Sequence, residues 1–235
     1  DAQGNITLLN DAKMVSWVKD TIAPVASYDV ETVPNSESNL TGINVTVEGA
    51  LVTHYVFALL GPNASATCAD ASYTPSDSAI SVASSISEVL GADGAYLLCV
   101  KGIDAAGNVQ ATATSYGWFK DVVVPTASDI LLTNLPSNPS SEAALDVTVA
   151  GVVGYQYALT SQVTSCASAS YVGEFLINSK ITDALSNGLL RLCVRGKDAA
   201  GNVTAAADSK VHDWTQDDNE PQASHISLSG QPTSR

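Results

Sequence analysis

The phrase DxxGN occurs at Asp1, Asp104 and Asp198, and the segments around it repeat with it. LCVKGIDAAGN, beginning at Leu98, is matched by LCVRGKDAAGN, beginning at Leu192. Trp17, Trp118 and Trp214 recur at similar distances. So do Pro24, Pro125 and Pro221, which are followed by VAS, TAS and QAS. A period of about a hundred residues is too long for a solenoid unit and suits an independent domain. The repeat predicts residues 1–20 as the last strand of a preceding repeat, 21–121 and 122–217 as complete domains, and 218–235 as the start of another. The chain reads as a stretch of a longer tandem array.

Aligning the two full copies assigns their segments. INVTVEG (Ile43 to Gly49) matches LDVTVAG (Leu145 to Gly151), and YVFALLG from Tyr55 matches YQYALTS from Tyr155. Each alternates apolar and polar residues with period two and is rich in Val, Tyr and Thr, which predicts half-buried strands. Turn signals (EGA, GADG, LSNG, DAAGN) punctuate the runs at short intervals. No window carries a long helical stripe, although SSISEVLG and SKITDALSNG are read as a helical turn or two. About seven strands per repeat predicts an all-β chain of tandem immunoglobulin-like β-sandwich domains.

The four cysteines fall as one pair per repeat, Cys68 with Cys99 and Cys166 with Cys193. Without CxxC spacing they read as two intradomain disulfides and an oxidising compartment rather than a zinc site. On the YLLCVKGID strand, Tyr96, Leu98 and Val100 share one face and Cys99 takes the other. If the apolar face packs on the core, both strand cysteines point outward, and each bridge staples its strand to the CAxASY segment on the sandwich surface.

The string Tyr96-x-Leu98-x-Val100-x-Gly102-x-Asp104-x-x-Gly107-Asn108 resembles the final hairpin of bacterial Ig-like and fibronectin type III-like modules. The YxFAL/YxYAL strand and the WxKDxxxP linker resemble repeats of large bacterial cell-surface and adhesin proteins. The resemblance implies the sandwich fold and a bacterial surface setting. Leu190 stands where Tyr96 stands, so the tyrosine-corner hydrogen bond of this fold is expected in the first repeat alone.

DxxGN reads as a tight turn: Asp bonds its own loop, Gly accepts positive φ, and Asn is suited to a left-handed pose. In this topology the loop lies beside the entering linker, which puts Asp104 near Asp20 and Asp198 near Asp121. Calcium favours clusters of carboxylate and carbonyl oxygens, so these four acids, with Asp217 and Asp218, are the candidate ligands for structural calcium at the junctions. Solvated acids are the plainer reading, and no other metal or cofactor is expected. Trp17, Trp118 and Trp214, just before each linker, are read as packing under a loop or against the next domain. The sequons at Asn5, Asn39, Asn44, Asn63 and Asn202 are incidental in a bacterial protein.

Catalytic motifs are missing from the sequence, including GxSxG, HExxH and GxxxxGK[ST], and His54, His212 and His225 cannot assemble equivalent sites in both repeats. With 24 acidic residues against 10 Lys and Arg, a net charge of −14 repels phosphate backbones and anionic lipid. Nucleic acid is not an expected partner, and no apolar run is long enough for membrane insertion. The expected function is a structural stalk or fibre segment of a secreted, adhesin-like surface protein. Its partners are then neighbouring repeats of the same chain and, beyond them, a host or prey surface protein or glycan. Three alternatives stand beside it: a module binding glycan or protein, a subunit of an ordered extracellular filament, and an accessory module beside a secreted hydrolase.

Overall fold

A ten-residue strand leading into DxxGN runs through each repeat, and the rest of the repeat is arranged around it. The computed structural model describes residues 6, 13–62, 66–76, 78–222 and 229. The DxxGN copy at Asp1, the sequons at Asn5 and Asn63, His225 and most of 218–235 lie outside the described residues. The strands are β1 (Ser27–Tyr28), β2 (Glu37–Ser38), β3 (Gly42–Val45), β4 (Val47–Glu48), β5 (His54–Leu60), β6 (Ile80–Ser81), β7 (Ile86–Val89), β8 (Gly94–Ile103) and β9 (Thr114–Lys120), followed by β10 (Leu131–Thr133), β11 (Val147–Ala150), β12 (Gly154–Ser161), β13 (Val172–Leu176), β14 (Lys180–Ile181), β15 (Gly188–Lys197) and β16 (Lys210–Gln216). The chain divides into two compact units, residues 1–34 with 41–117 and residues 35–40 with 118–235.

The second repeat shows the sandwich plainly. Its seven strands form a four-stranded sheet, β13-β12-β15-β16, and a three-stranded sheet, β10-β11-β14. Alternation along each strand turns one set of side chains inward. Leu132, Val147, Val149 and Ile181 come from the smaller sheet; Tyr155, Tyr157, Leu192, Val194 and Trp214 come from the larger, and all meet in one core. Burying these apolar faces is the main favourable term in folding. Arg191 lies directly opposite Asp213 across β15 and β16, and its guanidinium donates to both carboxylate oxygens at 2.8 and 2.7 Å.

The first repeat uses shorter pieces for the same plan. A sheet of order β2-β9-β8-β5-β6 is accompanied by the pairs β3-β7 and β1-β4. The predicted INVTVEG strand breaks at Thr46 into β3 and β4. Both segments read as helical turns are strands instead, β7 for SSISEVLG and β14 for SKITDALSNG. Their few apolar residues are recruited into a sheet: Ile86 pairs with Val45, Ile181 pairs with Val147, and all four are buried. Tertiary pairing thus overrides a weak local preference.

Two disulfides, Cys68–Cys99 and Cys166–Cys193, span 31 and 27 residues. They lie on the face of β8 and β15 away from the main core, as the alternation requires, but the strand cysteines are not exposed. Cys99 and Cys193 are each 0% exposed. The CAxASY segment folds over the bridge and makes a second apolar cluster, in which Ala158, Cys166 and Cys193 pack with Ala169 and Tyr171. The expected outward-facing staple is therefore a covered one.

Replacing Cys166 and Cys193 together by alanine is expected to lower the stability of the second repeat by about 3 kcal/mol, the chain-entropy value for a loop of this size. Denaturant unfolding, with the intact first repeat as internal reference, measures the loss. An unchanged midpoint for the second repeat would contradict it.

Candidate functional site at the DxxGN loops

At the end of β8, Asp104 organises the turn with both carboxylate oxygens. Oδ1 accepts the backbone amides of Ala106 (2.8 Å) and Asn108 (2.9 Å), and Oδ2 accepts Nδ2 of Asn108 (2.8 Å). Asp198 repeats the pattern at the end of β15, with Asn202 donating its amide at 2.8 Å and Nδ2 at 3.0 Å. Positive φ falls on the glycines, Gly107 at 88° and Gly201 at 95°. The asparagines, expected in a left-handed pose, do not take one. They act through their side chains.

The same Asn Nδ2 reaches the linker that enters the repeat. Asn108 donates to the carbonyl of Asp20 at 3.3 Å, and Asn202 donates to the carbonyl of Asp121 at 2.9 Å. DxxGN therefore meets the linker at the expected places, through an amide and a backbone carbonyl. Further along the linker, Thr204 Oγ1 donates to the carbonyl of Pro125 at 2.8 Å. In the first repeat Gln110 does the corresponding work: its Oε1 accepts the amides of Ala26 (2.8 Å) and Gly102 (3.1 Å). Both are buried polar side chains with their partners supplied.

The linker acids serve their own turns. Asp20 Oδ1 accepts the amide of Ile22 (3.0 Å), Asp121 Oδ1 that of Val123 (2.8 Å), and Asp217 Oδ1 both nitrogens of Asn219. The amide of Asp218 donates to Asn187 Oδ1 at 2.9 Å. A cleft of about 390 Å³ beside the second linker is lined by Asp121, Asp129 and Asp198. There, Asp129 Oδ2 is occupied by the amide and hydroxyl of Thr126, at 2.7 and 2.8 Å. Among the described residues no three His, Cys, Asp or Glu side chains converge as metal ligands would. Hydrogen bonds from the Asn108 side chain, aided by the backbone amides of Asn108, Ala106 and Gly107, outweigh burial and hold the Asp104 carboxyl below its ordinary range.

The disulfide roofs form a second recurring constellation. Tyr73 donates its hydroxyl to the carbonyl of Cys68 (2.7 Å), and Tyr171 does the same to Cys166 (3.1 Å). Lys101 stands 4.8 Å over the Tyr73 ring, and the Arg195 guanidinium stands 5.1 Å over that of Tyr171. The cations flanking the cysteines are thus engaged in cation–π contacts. Sequence reasoning does not reach this arrangement, although the shared CAxASY spacing carries its signal.

The tryptophans do not share one environment. Trp17 is 76% exposed, and Trp118 is buried. Trp214 is 0% exposed in the core of its own repeat, stacked on His212 at 5.6 Å and bonded through Nε1 to Gln216 at 3.1 Å. It is a core residue of its own repeat, whereas packing under a loop or against the next domain is what its place before the linker predicts. His54 bonds its neighbour Thr53 at 3.1 Å. Asn202 is buried and bonded, whereas the sequons at Asn39 and Asn44 are exposed.

No protein-family model matches the chain, and comparison with curated proteins gives no match. Among solved structures, the chain is similar to the fibronectin(III)-like modules of Clostridium thermocellum CbhA. That match has a TM-score of 0.45 and 13% identity, covering 86% of this chain and 100% of that one. It is also similar to a tetra-tandem repeat in the extending region of a large adhesion protein, at a TM-score of 0.30 and 14% identity. That match covers 83% of this chain and 49% of the other, so the chain spans about half that protein's length.

A carboxyl whose folded pKa is depressed stabilises fully above its unfolded pKa, and the contribution is lost as pH falls through the folded value. Asp104→Asn is therefore expected to destabilise the first repeat at neutral pH and to flatten its acid dependence. Melting temperatures between about pH 5 and pH 2 test this, because the wild type should fall more steeply across that window than the variant. Parallel curves would contradict the role given to Asp104.

Proposed function

We infer that the chain is a load-bearing spacer in a larger extracellular protein, a stalk segment of an adhesin-like bacterial surface protein. The observation that carries this reading is the linker clamp, present in both repeats, in which the Asn of DxxGN holds the carbonyl of the linker aspartate. A clamp of this kind limits the freedom of the chain where it enters a bead. Pro24 and Pro125, at the end of the linkers, restrict φ and add to the effect. Each bead is stapled by a buried disulfide, which suits an oxidising, extracellular setting. No helix among the described residues is long and apolar enough to cross a membrane. The bacterial, adhesin-like setting follows from the sequence resemblance of the hairpin and linker.

Stretching single molecules from their ends tests the mechanical reading. Under oxidising conditions each repeat should give a discrete unfolding peak, and the disulfide should shorten the released length. Reduction should lengthen the two steps by about 11 and 9 nm, at ~3.5 Å per residue over loops of 31 and 27 residues. Extension without discrete force peaks would overturn the load-bearing role.

A further inference from the structure

Each ten-residue strand begins at the glycine of an Asx-Gly pair, Asp93-Gly94 in the first repeat and Asn187-Gly188 in the second. The strand registers align the two pairs, and both glycines take a φ of 136°. Asx-Gly is the dipeptide most open to cyclisation, because glycine has no side chain to shield its amide nitrogen from the carbonyl carbon of the side chain before it. Asn187-Gly188 is the one Asn-Gly pair in the chain.

The first repeat holds this turn shut. Tyr96 donates its hydroxyl to the carbonyl of Ala92, next to Asp93, at 2.9 Å. Pro62 covers Gly94 so closely that a Cβ there would lie 2.5 Å from the proline. The second repeat has neither restraint. Leu190, in the register of Tyr96, is buried in the core and has no hydroxyl to offer. A Cβ at Gly188 would meet nothing within 4 Å, and residues 186–189 are all exposed. Gly188 pairs with Gln216 at the last position of the β15-β16 ladder, and end pairs of this kind open at little cost.

We propose that Asn187 is a modification site of the folded second repeat, converted without an enzyme to aspartate and isoaspartate. The Gly188 amide nitrogen gives up its proton to solvent and bonds to Cγ of Asn187. The Cγ–Nδ2 bond breaks and ammonia leaves, which closes a succinimide. Water then adds to one of the two ring carbonyls and returns a proton to the Gly188 nitrogen. Opening at Cγ gives aspartate, the acid that the first repeat already carries as Asp93, and opening at the main-chain carbonyl gives isoaspartate. Nothing is oxidised or reduced, and water is the sole co-reactant. The change falls on a contact, because Asn187 Oδ1 accepts the amide of Asp218 at 2.9 Å. Aspartate puts a carboxylate on that amide, whereas isoaspartate lengthens the main chain by one carbon just before β15 and alters the contact. The site goes beyond the spacer reading and does not depend on it.

Native chain and guanidinium-unfolded chain, aged in parallel at mildly alkaline pH and then digested with trypsin, test the assignment by mass spectrometry. Cleavage after Lys180 and Arg191 isolates residues 181–191, in which Asn187 is the only asparagine. In the native chain that peptide should gain the mass of amide-to-acid exchange within about tenfold of the unfolded rate, since only an end pair must open. Isoaspartate at Asp93, read by enzymatic methylation of its peptide, should instead form far more slowly in the native chain than in the unfolded one. Tyr96→Phe with Pro62→Ala should remove that protection, and Asn187→Gln should abolish the mass gain while leaving the second repeat folded. A native chain that keeps its Asn187 amide while the unfolded chain loses it overturns the assignment. So does equal protection of the two turns, or a double variant that leaves Asp93 as protected as before.

Discussion

Each repeat depends on a strand that is buried on both faces for part of its length. One face of β8 or β15 packs Leu98 and Val100, or Leu192 and Val194, into the sandwich core. The other presents a cysteine whose bridge draws a separate segment over it. A strand in this position cannot shift by one residue without exchanging its two faces. A slip would bring the cysteine into the core and leave the apolar set under the roof. Register, disulfide pairing and the placement of the following loop are therefore fixed together.

That fixed register is what gives DxxGN its reach. Because the strand ends at the same place in both repeats, Asp104 and Asp198 begin the same turn, and Asn108 and Asn202 arrive at the same linker carbonyl. The bonds within the loop join an ionised carboxylate to amide donors, which makes them stronger than neutral pairs. The linker carbonyls receive an asparagine amide that the carboxylate has already oriented. Fold and proposed mechanical role thus share one origin in the sequence, the phrase that runs from the apolar strand into the turn.

Much of this was legible because a repeated sequence reports its own constraints twice. Alternation in YVFALLG and YQYALTS marked the central strands, and the paired cysteines marked the bridges. Leu190 at the position of Tyr96 marked the repeat without a tyrosine corner. Less was legible where a residue's role depends on what folds over it. The periodicity of β8 gives the face of Cys99 but not the roof of Tyr73 and Lys101 that covers it. Trp214 sits at the linker in sequence yet points into the core, because β16 alternates inward at that residue. The work of Gln110 and Thr204 was hidden for another reason: two dissimilar side chains accept the equivalent Gly102 and Gly196 amides but reach different linker groups, the Ala26 amide and the Pro125 carbonyl, so alignment shows no shared motif.

The tie between loop and linker is the step on which the spacer reading depends. Small-angle X-ray scattering of the chain against Asn108→Ala/Asn202→Ala measures it most directly. The account predicts an elongated wild-type particle with a narrow distance distribution, and a variant whose beads stay folded while the distribution broadens and the longest dimension falls. Superimposable profiles, or a wild type already folded back on itself, would contradict it.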